Sequence, residues 1–144
     1  MKKVFLGGTC NGSTWREDLI ELLEIDYFNP VVEDWTEECI KEEIRQRETC
    51  DYCLYVITPK MTGLYSIAEA VDDSNKRPDK TIFCVLKDDR NPFADLTTAW
   101  NTPQSIYFDK GQLKSLEQVG KMVRSNGGKY FRTLEDVAEY LNIK

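Results

Sequence analysis

Three short runs, at residues 2–6, 53–57 and 81–86, are nearly continuous in apolar residues, and segments of helical periodicity separate them. A strand that is apolar on both faces has to be covered on both faces. Helices inserted between such strands therefore predict a parallel sheet sandwiched by helices. Crossovers in such a sheet are right-handed. The fold class expected is α/β: a three-layer, Rossmann-like (flavodoxin-like) domain with a mainly parallel five-stranded sheet. A chain of 144 residues fits one domain, residues 1–144, and buries enough surface to need no disulfide staples.

The remaining elements follow from local patterns. A glycine-dense loop at 7–13 leads into a helix expected to begin at Ser13, with Trp15, Leu19, Leu22 and Leu23 on one face. Residues 27–32 read as a weaker strand interrupted by Asn29-Pro30. Residues 36–50 read as a charged helix with a thin stripe of Cys39 or Ile40 and Ile44. Thr62 is expected to cap a helix that sends Leu64, Ile67, Ala68 and Val71 to the core. A fifth strand is expected at 105–108, with helices over 112–124 and 133–141, the last opened by Thr133 and Asp136. Residues 88–102 read as a long, partly irregular connection.

Composition removes several chemistries. The net charge of −6 argues against sequence-independent nucleic-acid binding. No apolar run approaches a membrane span, and the Met1-Lys2-Lys3 start has no cleavage pattern of a leader. There is no histidine, so a Ser-His-Asp triad, a Cys-His pair and His-ligated metals are excluded. No cofactor and no metal are expected. Five scattered cysteines suit a reducing, cytoplasmic setting. Cys50-Asp51-Tyr52-Cys53 has a Cys-x-x-Cys spacing, but one pair supplies half of a structural zinc site and bridges a helix end and a strand start. Both thiols read as small buried residues.

In parallel sheets ligands bind beyond the carboxyl ends of the strands. The segments there are 7–13, 29–35, 58–66 and 87–95. In the first, Gly8, Thr9, Asn11, Gly12 and Ser13 let amides approach a ligand, and Arg16 can hydrogen-bond a phosphate or hydroxyl. The spacing is neither Gly-x-Gly-x-x-Gly nor a Walker loop. In the third, Gly63 precedes Tyr65, Ser66 and Glu69, which share a helical face, with Glu69 one turn beyond the other two. Glu69 is therefore a candidate nucleophile or base. Of the carboxylates in and just after the charged helix, Glu42, Glu43 and Asp51 stand out.

Four pieces then combine: the opening strand with Gly-Gly-Thr-Cys-Asn-Gly-Ser-Thr-Trp-Arg-Glu-Asp; Tyr27-Phe28-Asn29-Pro30; the acidic helix running into Cys50-Asp51; and Gly63-Leu64-Tyr65-Ser66-Ile67-Ala68-Glu69-Ala70. In order and spacing the set resembles the nucleoside 2-deoxyribosyltransferase superfamily, which includes 2'-deoxynucleoside 5'-monophosphate N-glycosidases. The resemblance implies a small Rossmann-like sheet and cleavage of the N-glycosidic bond of a deoxynucleoside or its monophosphate. It implies a Glu nucleophile after the third core strand, an upstream acid matched by Glu43, and a glycine loop holding sugar or phosphate. It also implies Asn29 near the sugar, and a homodimer or larger assembly. Aligning Tyr65 with the aromatic residue before the nucleophile puts Ser66 at the Glu position. Two readings follow. Glu69 serves from a shifted helix start, or the chain binds a nucleotide or sugar without cleaving it. A Ser hydroxyl with no adjacent base is a poor nucleophile, so Ser66 is given a binding role.

Overall fold

A computed structural model describes residues 1–10, 12–90 and 105–143. Its elements run β1 (Lys3–Gly8), α1 (Trp15–Ile20), β2 (Asp26–Phe28), α2 (Glu37–Thr49), β3 (Tyr52–Ile57), α3 (Tyr65–Lys76), β4 (Thr81–Val85), β5 (Asp88–Arg90), β6 (Ser105–Tyr107), α4 (Lys110–Ser125), β7 (Lys129–Phe131) and α5 (Leu134–Leu141). Five strands form one sheet in the order β2-β1-β3-β4-β7, and every pairing in it is parallel. The α/β, Rossmann-like architecture expected from the apolar runs is the one observed.

The membership of the sheet differs in one strand. The segment expected as its fifth strand pairs antiparallel with β5 in a separate two-stranded ribbon. The fifth place belongs to β7, which follows a tight turn at Gly127 (φ +107°). Three residues between two helices are too few for a period-two pattern to register.

Alternating side chains of β1, β3 and β4 divide the core into two clusters. Val4, Leu6, Leu54, Val56, Ile82 and Cys84 meet Trp15 and Leu19 of α1 and Val137, Ala138 and Leu141 of α5. Phe5, Cys53, Tyr55, Ile57, Phe83 and Val85 meet Ala70 of α3 and Leu116 and Val123 of α4. The Thr133 cap is as expected, its hydroxyl accepting from the Asp136 amide at 3.1 Å. The α4 helix opens earlier than expected, on a capping box of Asp109 and Gln112.

Other boundaries shift for local reasons. The α1 helix is capped at Thr14 rather than Ser13 and stops after six residues, leaving Leu22 exposed. β2 ends before Asn29-Pro30, since proline has no N–H to give a ladder. Helix α3 starts after Leu64 without a side-chain cap.

The largest departure concerns which faces turn inward. In α2 the expected stripe of Ile40 and Ile44 is exposed, whereas Gln46 is buried. In α3 Leu64 is 67% exposed and Ala68 is also exposed, while Ile67 and Val71 are half-buried. The buried positions of α3 are Glu69, Ala70, Asp73 and Ser74. A polar network, described next, holds these faces against the sheet in place of an apolar stripe.

Candidate functional site

The carboxyl edge of β1 and β3 is shaped by a loop that only glycine permits. Gly8 has φ +124°, and a Cβ there would lie 2.0 Å from the Val56 carbonyl oxygen. Gly12 also adopts a positive φ, +69°. Thr9 is buried in structural bonds: its amide donates to the Val56 carbonyl at 2.9 Å and its hydroxyl accepts from the Thr58 amide at 2.9 Å. Ser13 accepts from the Trp15 amide. Arg16, expected to meet a ligand, braces the loop instead. Its guanidinium is buried and donates to the carbonyls of Leu6 (3.0 Å), Thr9 (2.6 Å) and Gly8 (3.3 Å). Trp15 adds a bond from its indole N–H to the Thr9 carbonyl. The carbonyls are thereby drawn under the loop. Lys60, from the turn after β3, grips the loop from the other side through the Gly12 carbonyl at 2.8 Å.

Between this loop and the start of α3 lies a hollow of about 140 Å³ lined by Gly8, Thr9, Cys10, Ile57, Met61, Thr62, Gly63, Tyr65 and Ser66. Five of the predicted binding residues thus meet there: Gly8, Thr9, Gly63, Tyr65 and Ser66. Asn11 lies outside the described residues, as do residues 91–104 of the predicted long connection. Asn29 is exposed beyond β2, its side chain accepting from the Val31 amide.

Glu69 does not line the hollow. It sits one turn along α3 from Ser66, and helical side chains lean toward the amino end of their helix. The residue is 7% exposed, and its Oε2 lies 3.2 Å from Nη1 of Arg47 on α2. Burial pushes its carboxyl up to about 7; Arg47 opposes that rise, while Glu43 and Asp73 add to it. Glu43 is half-buried on the same side of α2, and burial raises its carboxyl too, against the pull of Arg47 and Arg16. Of the two, Glu69 touches the Arg47 guanidinium, while Glu43, one turn before Arg47 on α2, feels Arg47 and Arg16 only through space.

Behind Arg47 the network continues. Its Nη2 lies 2.9 Å from Oδ1 of Asp73, a wholly buried carboxylate. Tyr55 of β3 donates its hydroxyl to Asp73, and Arg77 pairs with the same carboxylate. Burial works to raise Asp73, but these hydrogen bonds prevail and hold it below its ordinary value. The Tyr55 hydroxyl is pushed far up by burial and by that neighbour. None of Arg47, Tyr55, Asp73 or Lys60 was singled out from the sequence. Arg47 and Asp73 are 26 positions apart on different helices, beyond the reach of any local pattern.

Asp51 and the cysteine pair fall elsewhere. Asp51 is at the amino edge of the sheet, where its carboxylate accepts from the Lys3 amide at 2.8 Å. That is the opposite end from the hollow. Glu42 is occupied by Arg45 on the outer surface. Cys50 and Cys53 are buried, with burial raising the Cys53 thiol to about 12, so neither is a reactive thiolate. Among the described residues no group of acidic or thiol side chains is arranged to hold a metal, and no helix is long and apolar enough to cross a membrane. A larger cleft of about 580 Å³ opens between β4, β7, α4 and α5, lined in part by Lys87, Glu117, Arg132 and Glu135. It lies on the β4–β7 side of the sheet, away from the glycine loop and from the start of α3 that carries Glu69.

A family model described as nucleoside 2-deoxyribosyltransferase like matches residues 1–88. That stretch holds the glycine loop, the hollow and both raised carboxyl groups. No curated protein matches the sequence.

Proposed function

We propose a function from one premise: the chain belongs to the nucleoside 2-deoxyribosyltransferase-like family, whose model spans more than half of it. Membership supports a glycosyl-transfer role on a small nucleoside substrate. The finer reading is cleavage of the N-glycosidic bond of a 2'-deoxynucleoside or its 5'-monophosphate. The sugar passes either to a second base or to water.

One observation carries this reading. Glu69, buried against Arg47 and raised by that burial, lies one helical turn from a hollow under a glycine loop, and a second raised carboxyl, Glu43, acts on it from α2. Breaking the bond generates oxocarbenium character at the anomeric carbon, which a nearby carboxylate stabilises and traps. A Glu69 oxygen bonds to C1' as the C1'–N bond breaks. The bonding pair leaves with the base, which takes a proton from Glu43. In the second step an acceptor nitrogen or water attacks C1'. The ester opens, Glu69 regains its charge and the incoming group's proton returns to Glu43. A raised Glu43 suits the acid, and a Glu69 titrating near neutrality is an available anion above pH 7. Ser66 and Tyr65 fit contacts to the sugar, and the glycine loop on the other side of the hollow fits its hydroxyl or phosphate. Asp51 has no part in this mechanism.

The assembly proposed is a homodimer or larger oligomer. Leu64 and Tyr65, 67% and 75% exposed beside the hollow, support it, as do Ile40 and Ile44 on the outer face of α2. Equilibrium sedimentation tests it: a species of one chain mass at micromolar concentration contradicts it. Five unpaired cysteines fit a reducing, cytoplasmic setting.

The test of function is chromatography of deoxynucleosides and their monophosphates after incubation, with and without an acceptor base. A new nucleoside identifies a transferase, and free base without acceptor identifies a hydrolase. If ligand raises the melting temperature while no base appears from any substrate, the chain is a binding module and the cleavage reading fails.

A further inference from the structure

Glu69 poses a problem that its own helix does not solve. A carboxyl group this deeply buried favours the neutral form, and Glu43 and Asp73 nearby favour it further. A neutral carboxylic acid cannot attack C1'. The charged groups that act on it are Arg47 and Glu43 from α2 and Asp73 from α3; the exposed Asp72 of α3 and Tyr55 of β3 join through Arg47 and Asp73, and Arg16 of α1 acts on Glu43. Arg47 is the cation that touches it.

We propose that Arg47 is the positioning residue of this site: locked onto Asp73, its guanidinium holds the Glu69 carboxylate ionised and in place for attack. This rests on the glycosidic reading above and deepens it. A free arginine side chain has several rotatable bonds and would sample many orientations. Here two donors of the fork close on Asp73, Nη2 at 2.9 Å and Nε at 3.4 Å, leaving Nη1 turned to Glu69. Asp73 is immobile in turn, because Tyr55 and Arg77 occupy its oxygens. The chain of contacts runs from the sheet to Asp73, to Arg47, to Glu69.

The arrangement also suits the covalent step. When Glu69 bonds to C1' its charge disappears, and a guanidinium paired with Glu69 alone would be stranded in the interior. Arg47 keeps Asp73, and the exposed Asp72 at 3.7 Å. When the ester opens, the same guanidinium receives the restored carboxylate.

The test follows Glu69 itself. With glutamate labelled at the side-chain carboxyl carbon, NMR titration of the full chain reads its protonation, and Glu69→Gln identifies the resonance. Arg47→Lys keeps a charge but loses the fork. The pair Arg47→Met with Asp73→Asn removes both charges of that contact, leaving the partly exposed Arg77 to solvent and Glu69 to take up a proton. A dispersed amide spectrum verifies folding of each. The wild-type resonance titrates near 7. In the double variant its midpoint rises, because the lowering by Arg47 outweighs the raising by Asp73. The rising limb of kcat/KM for base release moves up with it, and activity recovers at high pH. Arg47→Lys leaves the midpoint near wild type and lowers kcat. A Glu69 midpoint in the double variant equal to wild type overturns the proposal, as does an unmoved rate profile. If the midpoint moves but the wild-type chain releases no base, the glycosidic reading falls while the coupling of Arg47 to Glu69 stands.

Discussion

The two faces of the sheet are built on different principles. Against α1 and α5, Trp15, Leu19, Val137 and Leu141 close on Val4, Leu6 and Val56 as an apolar interior. On the other face Phe5, Phe83 and Val85 pack on α4 in the same way, but toward α2 and α3 a buried ionic network of Tyr55, Asp73, Arg47 and Glu69 interrupts the apolar core. Apolar packing stabilises a fold directly. A buried ion pair often fails to, because the desolvation of both ions offsets their attraction. The second face therefore gives up stability that a hydrophobic packing would supply, and what it gains is a carboxyl group with a tuned charge beside the hollow. The first face is scaffold, and the second carries the proposed working surface.

Substitutions on the two faces separate these roles. Glu69→Gln lowers base release about 10³-fold or more, roughly 4 kcal/mol of barrier, while the fold persists. Steady-state kinetics and circular dichroism together check this. Asp73→Ala leaves Arg47 and Arg77 without their shared carboxylate and costs about 3–5 kcal/mol in urea unfolding. Replacing the pair together, Arg47→Met with Asp73→Leu, costs less than Asp73→Ala, because Arg47 is no longer left charged while Arg77 and the Tyr55 hydroxyl still lose their partner, and it abolishes efficient turnover. The scaffold face behaves otherwise. Leu141→Ala destabilises by about 2–5 kcal/mol through its cavity and leaves the pH dependence of turnover unchanged. If that double replacement proves as damaging as Leu141→Ala, the distinction between the faces fails.

The smallest effect is in stability against pH. Folding raises Glu69 from an ordinary 4.5 to about 7, so the native state binds more protons than the unfolded chain between those values. Its contribution is fully present below pH 4.5 and is lost as pH rises through 7, on the order of 1–3 kcal/mol. Asp73 is lowered, so its contribution acts in a separate window and is lost only as pH falls below its ordinary 3.8. Glu69→Gln flattens the decline between pH 4.5 and 7, measured by urea unfolding across that range.

Much of the scaffold face was legible in the sequence, and little of the working face was. The runs at 2–6, 53–57 and 81–86 announce central strands because burial on both sides demands uninterrupted apolar residues. Val137, Ala138 and Leu141 keep helical spacing and do turn inward. The rule that the apolar stripe faces the core is what misplaced α2 and α3. Ile40, Ile44, Leu64 and Ala68 point outward while Arg47, Glu69 and Asp73 have partners inside. Those partners, Arg47 with Asp73 and Tyr55 with Asp73, come from distant positions and leave no local trace. The glycine loop was readable as a close approach of backbone, but not the role of Arg16, whose donors are all directed at the loop itself. Glu69 was found by helical spacing alone; its burial and its pairing were not.

The most direct measurement is to quench the protein in acid during incubation with the deoxynucleoside from which it releases base fastest, digest it, and locate the sugar by peptide mass spectrometry. The account predicts a deoxyribosyl adduct on Glu69 that vanishes in Glu69→Gln. An adduct on another residue, or continued base release with no adduct at all, contradicts it.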